Sequence, residues 1–246
     1  MYMPNYRVNY RGIPIIKNSF IDYHAEKMIY DYCPDIYKNP RPIDVEDLVF
    51  SYMGLKQDFN YLSNSGFIWG RMVFRDTAKI PIYIPETNEA DYMPAKRGTI
   101  IIDNSIVEDR KDFRYRSTVV HECGHWVYHQ QLFMNSSESK VKNATLCRAY
   151  DIDSNLKVLK TDLDWIEHQA KYFSGALLMP KSVVVKICSN LEEKIDLSED
   201  FCKFKVTYMA KRIAQTFNVS QESAKVRIQQ LGLVMSKQKV STKQYI

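Results

Sequence analysis

The sequence predicts an α+β fold, mostly helical, with a small β-sheet placed ahead of a long central helix. Two textures carry that expectation. Apolar residues recur at helical spacing on both sides of the chain's middle, and between Gly66 and Asp103 they give way to short β-branched and aromatic runs between breakers. A third observation bounds the size: at 246 residues and 45% hydrophobic, the chain suffices for one large domain, or a domain with an appendage, with a full core.

The elements follow in order. Residues 1–18, with Arg7, Arg11 and two prolines, read as an irregular arm. Ser19 and Asp22 resemble a capping box, with Asp in place of the usual Glu or Gln, and open a helix over about 20–32 that Pro34 stops. Acidic residues in a first turn, then Val45, Leu48, Val49 and Tyr52, predict a second helix that closes near Gly54. Three or four strands come next, at Phe67–Phe74, Ile80–Ile84 and Gly98–Asp103. Tyr115, Val119, Val120, Trp126 and Val127 set a helix over 111–132. Residues 135–160 are polar and mixed, a loop with short helix at most. Helices at 164–178, ended by Met179-Pro180, and at 181–188 precede an acidic surface link over 192–200. Two last helices, 206–217 and 221–231, are joined by Asn218-Val219-Ser220, with Ser220 as N-cap and Gly232 as C-cap.

Composition excludes several classes. The first residues lack the apolar stretch of a signal peptide, and no window approaches the roughly 20 apolar residues of a membrane span. Five cysteines, an odd number with no CxxC pair, fit neither a disulfide framework nor a thiolate zinc cluster; a reducing cytoplasm suits them as buried small hydrophobes. The net charge of +5 is uneven. Residues 203–246 hold nine Lys or Arg against Glu222 alone, which leaves the rest slightly acidic. Such a segment points to nucleic acid or an acidic protein, though solvated lysines explain it almost as well.

The chemistry lies in His121-Glu122-Cys123-Gly124-His125, an H-E-x-x-H pattern on a predicted helix. A four-residue step puts both imidazoles on one face, one turn apart, so they can share a metal ion while Glu122 reaches a water beside it. A catalytic zinc wants three protein ligands and an open position. His129 continues the ladder, but a further turn carries it away from the ion, so it reads as packing or as support for a ligand. Cys123 lies on another face and reads as core. Glu167 is the better third ligand: it sits on the next long helix, and Ala170 and Ser174 on its face let that helix come close. Asp164 and His168 compete with it, Asp164 being placed one turn earlier where it could orient a histidine. On this reading Glu122 is the general base, and an oxyanion donor is also expected; nearby Tyr128 is not assigned by the pattern.

Thr118-Val119-Val120-His121-Glu122-Cys123-Gly124-His125-Trp126 and the run Glu167 to Pro180, EHQAKYFSGALLMP, resemble the ImmA/IrrE metallopeptidases, whose second motif reads E-x-x-A-N-x-F-A-x-x-L-L-M-P. Cys123, Lys171 and Ser174 depart from that pattern without removing a ligand or the base. The resemblance implies a zincin-like metallopeptidase domain over 19–200, with Zn2+ on His121, His125 and Glu167. It also implies a protein substrate, a helix-turn-helix repressor of a phage or mobile element. Residues 201–235 then form a helix-turn-helix-like hairpin packed on that domain, as similar family members carry, followed by a flexible basic tail over 236–246. The rival reading is a non-catalytic zinc-containing regulator, with Gln221, Glu222, Ser223 and Lys225 turned toward DNA.

Overall fold

The computed structural model describes residues 1–109, 112–135, 147–148, 161–192 and 199–233. After the N-terminal arm come α1 (Asn18–Tyr32) and a 3-10 turn at Pro34–Tyr37. A short α2 (Val45–Asp47) then runs into a π-helical turn at Leu48–Tyr52. Strands β1 (Lys56–Asn60), β2 (Ile68–Met72), β3 (Thr77–Ile84), β4 (Glu89–Ala95) and β5 (Thr99–Asp103) lead into α3 (Asn104–Glu108) and the long α4 (Asp112–Asn135). The order closes with β6 (Cys147–Arg148), α5 (Asp162–Leu178), α6 (Lys181–Glu192), α7 (Glu199–Phe217) and α8 (Gln221–Gln230). The architecture is α+β and mostly helical, as the two textures of the sequence require.

The strands do not make one sheet. β1, β5, β2 and β6 form a mixed sheet in that order, with β1 parallel to β5 and β2 antiparallel to both its neighbours. β3 and β4 pair with each other as an antiparallel hairpin outside that sheet. Alternation divides the sheet's side chains between two clusters: Met72, Phe74, Ile100 and Ile102 enter the main core, whereas Val73 and Ile101 meet Leu62, Ile80 and Ala95 on the other face.

Several expected boundaries are corrected. Ser19 is not a cap: α1 begins at Asn18, and Asp22 is buried, accepting a 2.9 Å hydrogen bond from Tyr172 Oη. The second helix keeps three α residues, capped by Asp44, before it widens into the π turn. β1 and β4 were not foreseen, and α7 begins at Glu199, where the sequence suggests a link. The rest of the expected loop at 135–160, most of the link and the expected basic tail over 236–246 lie outside the described residues. At the two ends of α8 the expected caps are present: Ser220 at the start accepts from the Ser223 N–H at 3.0 Å, and Gly232 past the end takes φ +67°, a conformation glycine adopts without strain.

One core runs through the whole helical body. Met28 of α1, Val119 and Trp126 of α4, Phe173 and Leu177 of α5, Val184 of α6, Ile213 and Phe217 of α7 and Ile228 of α8 all belong to it. Arg227 ties α8 down from within. It is fully buried, its Nε donates to the carbonyl of Met179 at 3.1 Å, and its Nη2 lies 2.7 Å from Asp22 Oδ1. That last contact is ionic, its angles falling short of a directed hydrogen bond. The N-terminal arm is also fastened. Tyr6 donates to the carbonyls of Val127 and Tyr128 at 3.0 and 2.9 Å, Arg11 pairs with Asp162 at 2.6 Å, and Val8 bridges to Pro14 across a turn in which Gly12 takes φ +84°.

Candidate active site

His121, Glu122 and His125 sit in the middle of α4, far from either fraying end, and all three are buried. The helical step predicted from their spacing is realised: His121 Nε2 and His125 Nε2 lie 3.0 Å apart. Glu167 reaches them from α5, whose first turn is locked by a capping box. Thr161 Oγ1 accepts from the Asp164 N–H at 3.1 Å, and Asp164 Oδ2 accepts from the Thr161 N–H at 2.9 Å. Glu167 Oε2 stands 3.2 Å from His121 Nε2, and its Oε1 stands 3.4 Å from His125 Nε2. The two nitrogens and the carboxylate thus converge, within 4.8 Å of one another, as a group able to hold a metal ion.

The helices come this close because of what they lack. A Cβ built on Gly124 would stand 3.0 Å from Ala170 Cα and 3.1 Å from a Phe173 ring carbon, so α4 and α5 cross backbone against backbone. The sequence pointed to Ala170 and Ser174 on α5; the decisive small residue on the other side is Gly124, inside the motif itself. Gly70 plays the same part for β2. A Cβ there would meet Thr118 Cγ2 at 2.7 Å and Glu122 Oε1 at 3.0 Å, so the strand lies directly on the Glu122 carboxylate.

The donor set fits a zinc ion. Two ligands at about 2.0–2.1 Å from a tetrahedral zinc stand roughly 3.3 Å apart, and the three separations here run from 3.0 to 3.4 Å. Burial alone raises the Glu167 carboxyl's pKa, but the facing imidazoles of His125 and His121, in their protonated form, outweigh it. The group is held well below the usual carboxylate range and stays ionised. Glu122 is fully buried, and its carboxylate interacts electrostatically with the buried guanidinium of Arg71.

The remaining sequence candidates lie elsewhere. Asp164 closes the helix cap with Thr161. His168 faces away, its Nε2 3.0 Å from Asn18 Oδ1. Tyr128 is buried with its hydroxyl 3.2 Å from His24 Nδ1, pointing into the α1 side of the core. Cys123 is fully buried, and burial raises its thiol's pKa. His129 stays off the three-residue cluster: its Nδ1 is 3.0 Å from His125 Nδ1 and its Nε2 is 3.0 Å from Gln169 Oε1. Burial lowers its pKa to about 3, so it is neutral.

Sequence reasoning missed Gly70, Gln169 and Pro14, the last of which accepts a 2.9 Å hydrogen bond from Gln169 Nε2. Gln169 left one signal, a polar residue where the helical pattern of α5 calls for a buried one; Gly70 and Pro14 left none.

The motif helix and the carboxylate helix both fall within residues 87–229, which match a family model described as peptidase M78, IrrE N-terminal-like domain. Among curated proteins nothing matches the chain.

Proposed function

The chain belongs to the peptidase M78 family of IrrE N-terminal-like domains, and from that premise we propose that it is a zinc-dependent endopeptidase acting on a protein partner. The convergence of His121, His125 and Glu167 beside the buried carboxylate of Glu122 carries this reading. In it the two Nε2 atoms and a Glu167 oxygen hold the ion. Zinc, when bound, supplies a Lewis acid that polarises a carbonyl oxygen and makes water more acidic. Glu122 does the proton work: its carboxylate takes the proton of the attacking water and passes it to the leaving amine. The wall of β2 at Gly70 keeps that carboxylate in place.

The substrate class follows from the resemblance: a helix-turn-helix repressor of a phage or mobile element, met in the cytoplasm. Among the described residues no helix is long and apolar enough to cross a membrane. Of the terminal hairpin's cations, Arg227 is buried inside the protein and Lys225 lies 3.5 Å from Glu222, while Lys211 and Arg212 are exposed.

The test is cleavage of a repressor encoded beside the gene, by purified wild type and by Glu122→Gln. Loss of the base should lower kcat/KM by about 10²- to 10⁴-fold while zinc stays bound. Equal cleavage by both proteins refutes the peptidase reading.

A further inference from the structure

Behind His125, on the side away from Glu167, three polar groups stand in a row. His125 Nδ1 faces His129 Nδ1 at 3.0 Å, His129 Nε2 faces Gln169 Oε1 at 3.0 Å, and Gln169 Nε2 faces the carbonyl of Pro14 at 2.9 Å. His125, His129 and Gln169 are each at least 98% buried, and every contact joins elements distant in sequence or successive turns of α4.

The far end of the row decides the proton at the near end. A carbonyl can only accept, so Pro14 forces the amide nitrogen of Gln169 toward itself and turns Oε1 to His129. An amide oxygen also only accepts, so His129 carries its proton on Nε2. In a neutral imidazole the other nitrogen is then a lone pair, and His129 Nδ1 must receive a hydrogen bond. His125 is the group in front of it and donates from Nδ1. The remaining nitrogen of His125, Nε2, is left as a bare lone pair in the space shared with His121 and Glu167.

We infer that His129, Gln169 and the Pro14 carbonyl act as a tautomer relay that presets His125 for metal ligation through Nε2. His129 and Gln169 are positioning residues. The relay makes the N-terminal arm part of the site: Pro14 lies some 110 residues before His125 in the chain, yet its carbonyl sets which nitrogen of His125 is free. Without the relay an imidazole in water favours the opposite tautomer modestly. The ion would then bind at the cost of a proton shift and of a buried N–H left without a partner.

This inference rests on the proposed metal site, and the test separates the two. In metal-free wild type, long-range proton–nitrogen NMR correlations of the histidine side chains should show His125 protonated on Nδ1 and His129 protonated on Nε2. His125 protonated on Nε2 overturns the relay, whatever the protein binds. Zinc affinity, measured by competition with a chelator, should fall about 10- to 100-fold in His129→Phe and in Gln169→Leu. Thermal melting would establish that both variants are folded, and zinc affinity unchanged in folded variants again overturns the relay. If His125→Ala binds zinc as tightly as wild type, the metal reading fails, and the NMR spectrum still decides the relay on its own.

Discussion

Gly70 and Glu122 show how little room the proposed catalytic carboxylate is given. The strand passes so near the base that even a methyl group on Gly70 would overlap Thr118 and press on the Glu122 carboxylate. Gly70→Ala should therefore displace the base while leaving the three proposed ligands in place. Since an ångström of misplacement can cost about 10²-fold in rate, kcat should fall steeply with zinc affinity nearly unchanged. Retained kcat would show that the strand yields instead. At this scale the sequence was most informative about groups that react. His121, Glu122, His125 and Glu167 are nameable because metal chemistry restricts residue type and spacing. Gly70 and Pro14 are not, because one contributes an absence and the other a backbone carbonyl, which any residue would supply.

Among elements, the crossing of α4 and α5 governs the site. Gly124→Val would place side-chain atoms where Ala170 and Phe173 stand, so it should destabilise the fold by about 1–3 kcal/mol. It should also weaken zinc binding, since Glu167 rides on the helix pushed away. Urea denaturation and chelator competition report the two effects, and a variant with wild-type values for both would show that the crossing is not tight. The contact between α1 and α4 carries a pH dependence. His24 is buried against Tyr128 and Phe20, and burial lowers its pKa from 6.5 to about 4. The unfolded chain takes up this proton near pH 6.5 and the folded chain does not, so stability is full above pH 6.5 and declines as pH falls toward 4. The slope should be about 1.4 kcal/mol per pH unit for this group. His24→Gln should flatten that part of the profile measured by urea denaturation; an unchanged profile would show that His24 is not held neutral. His129, lowered by burial in the same way, adds a decline of the same sign.

The same scale shows which elements sequence patterns reveal. α1, α4, α5 and α8 lie within a few residues of their expected ranges, because each buries a stripe against the core and the stripe is visible as periodicity. β1 and β4 carry no such stripe. Lys56–Asn60 sits at the sheet's edge with half-exposed or exposed residues, and Glu89–Ala95, paired with β3, is mostly exposed. Their pairing is set by backbone hydrogen bonds, to which polar side chains are indifferent. Glu199 and Asp200 read as a surface link, but the backbone of α7 begins at Glu199.

For the molecule as a whole, the buried pair Arg227 and Asp22 joins the last helix to the first, with Tyr172 of α5 donating to the same carboxylate. Arg227→Met would leave Asp22 charged and buried without its cation, which should lower stability by about 3–5 kcal/mol. The double variant Asp22→Leu/Arg227→Met should recover much of the loss. A single variant as stable as wild type in urea would show that α8 is held by its apolar contacts alone. Composition counts Arg227 among the basic residues of the C-terminal segment, and folding places it inside.

By itself the sequence determined the fold class, the family and the residues whose chemistry is demanding, since helical periodicity and an H-E-x-x-H spacing are local and survive without a partner in view. Only the tertiary structure decided that Glu167, rather than Asp164, His168 or His129, meets the two imidazoles. It alone brought Gly124 under Ala170, and Pro14 to the end of the chain of hydrogen bonds behind His125. Those outcomes depend on where helices cross and which backbone atoms face inward, and close packing settles such positions across distances in sequence at which no local pattern is written.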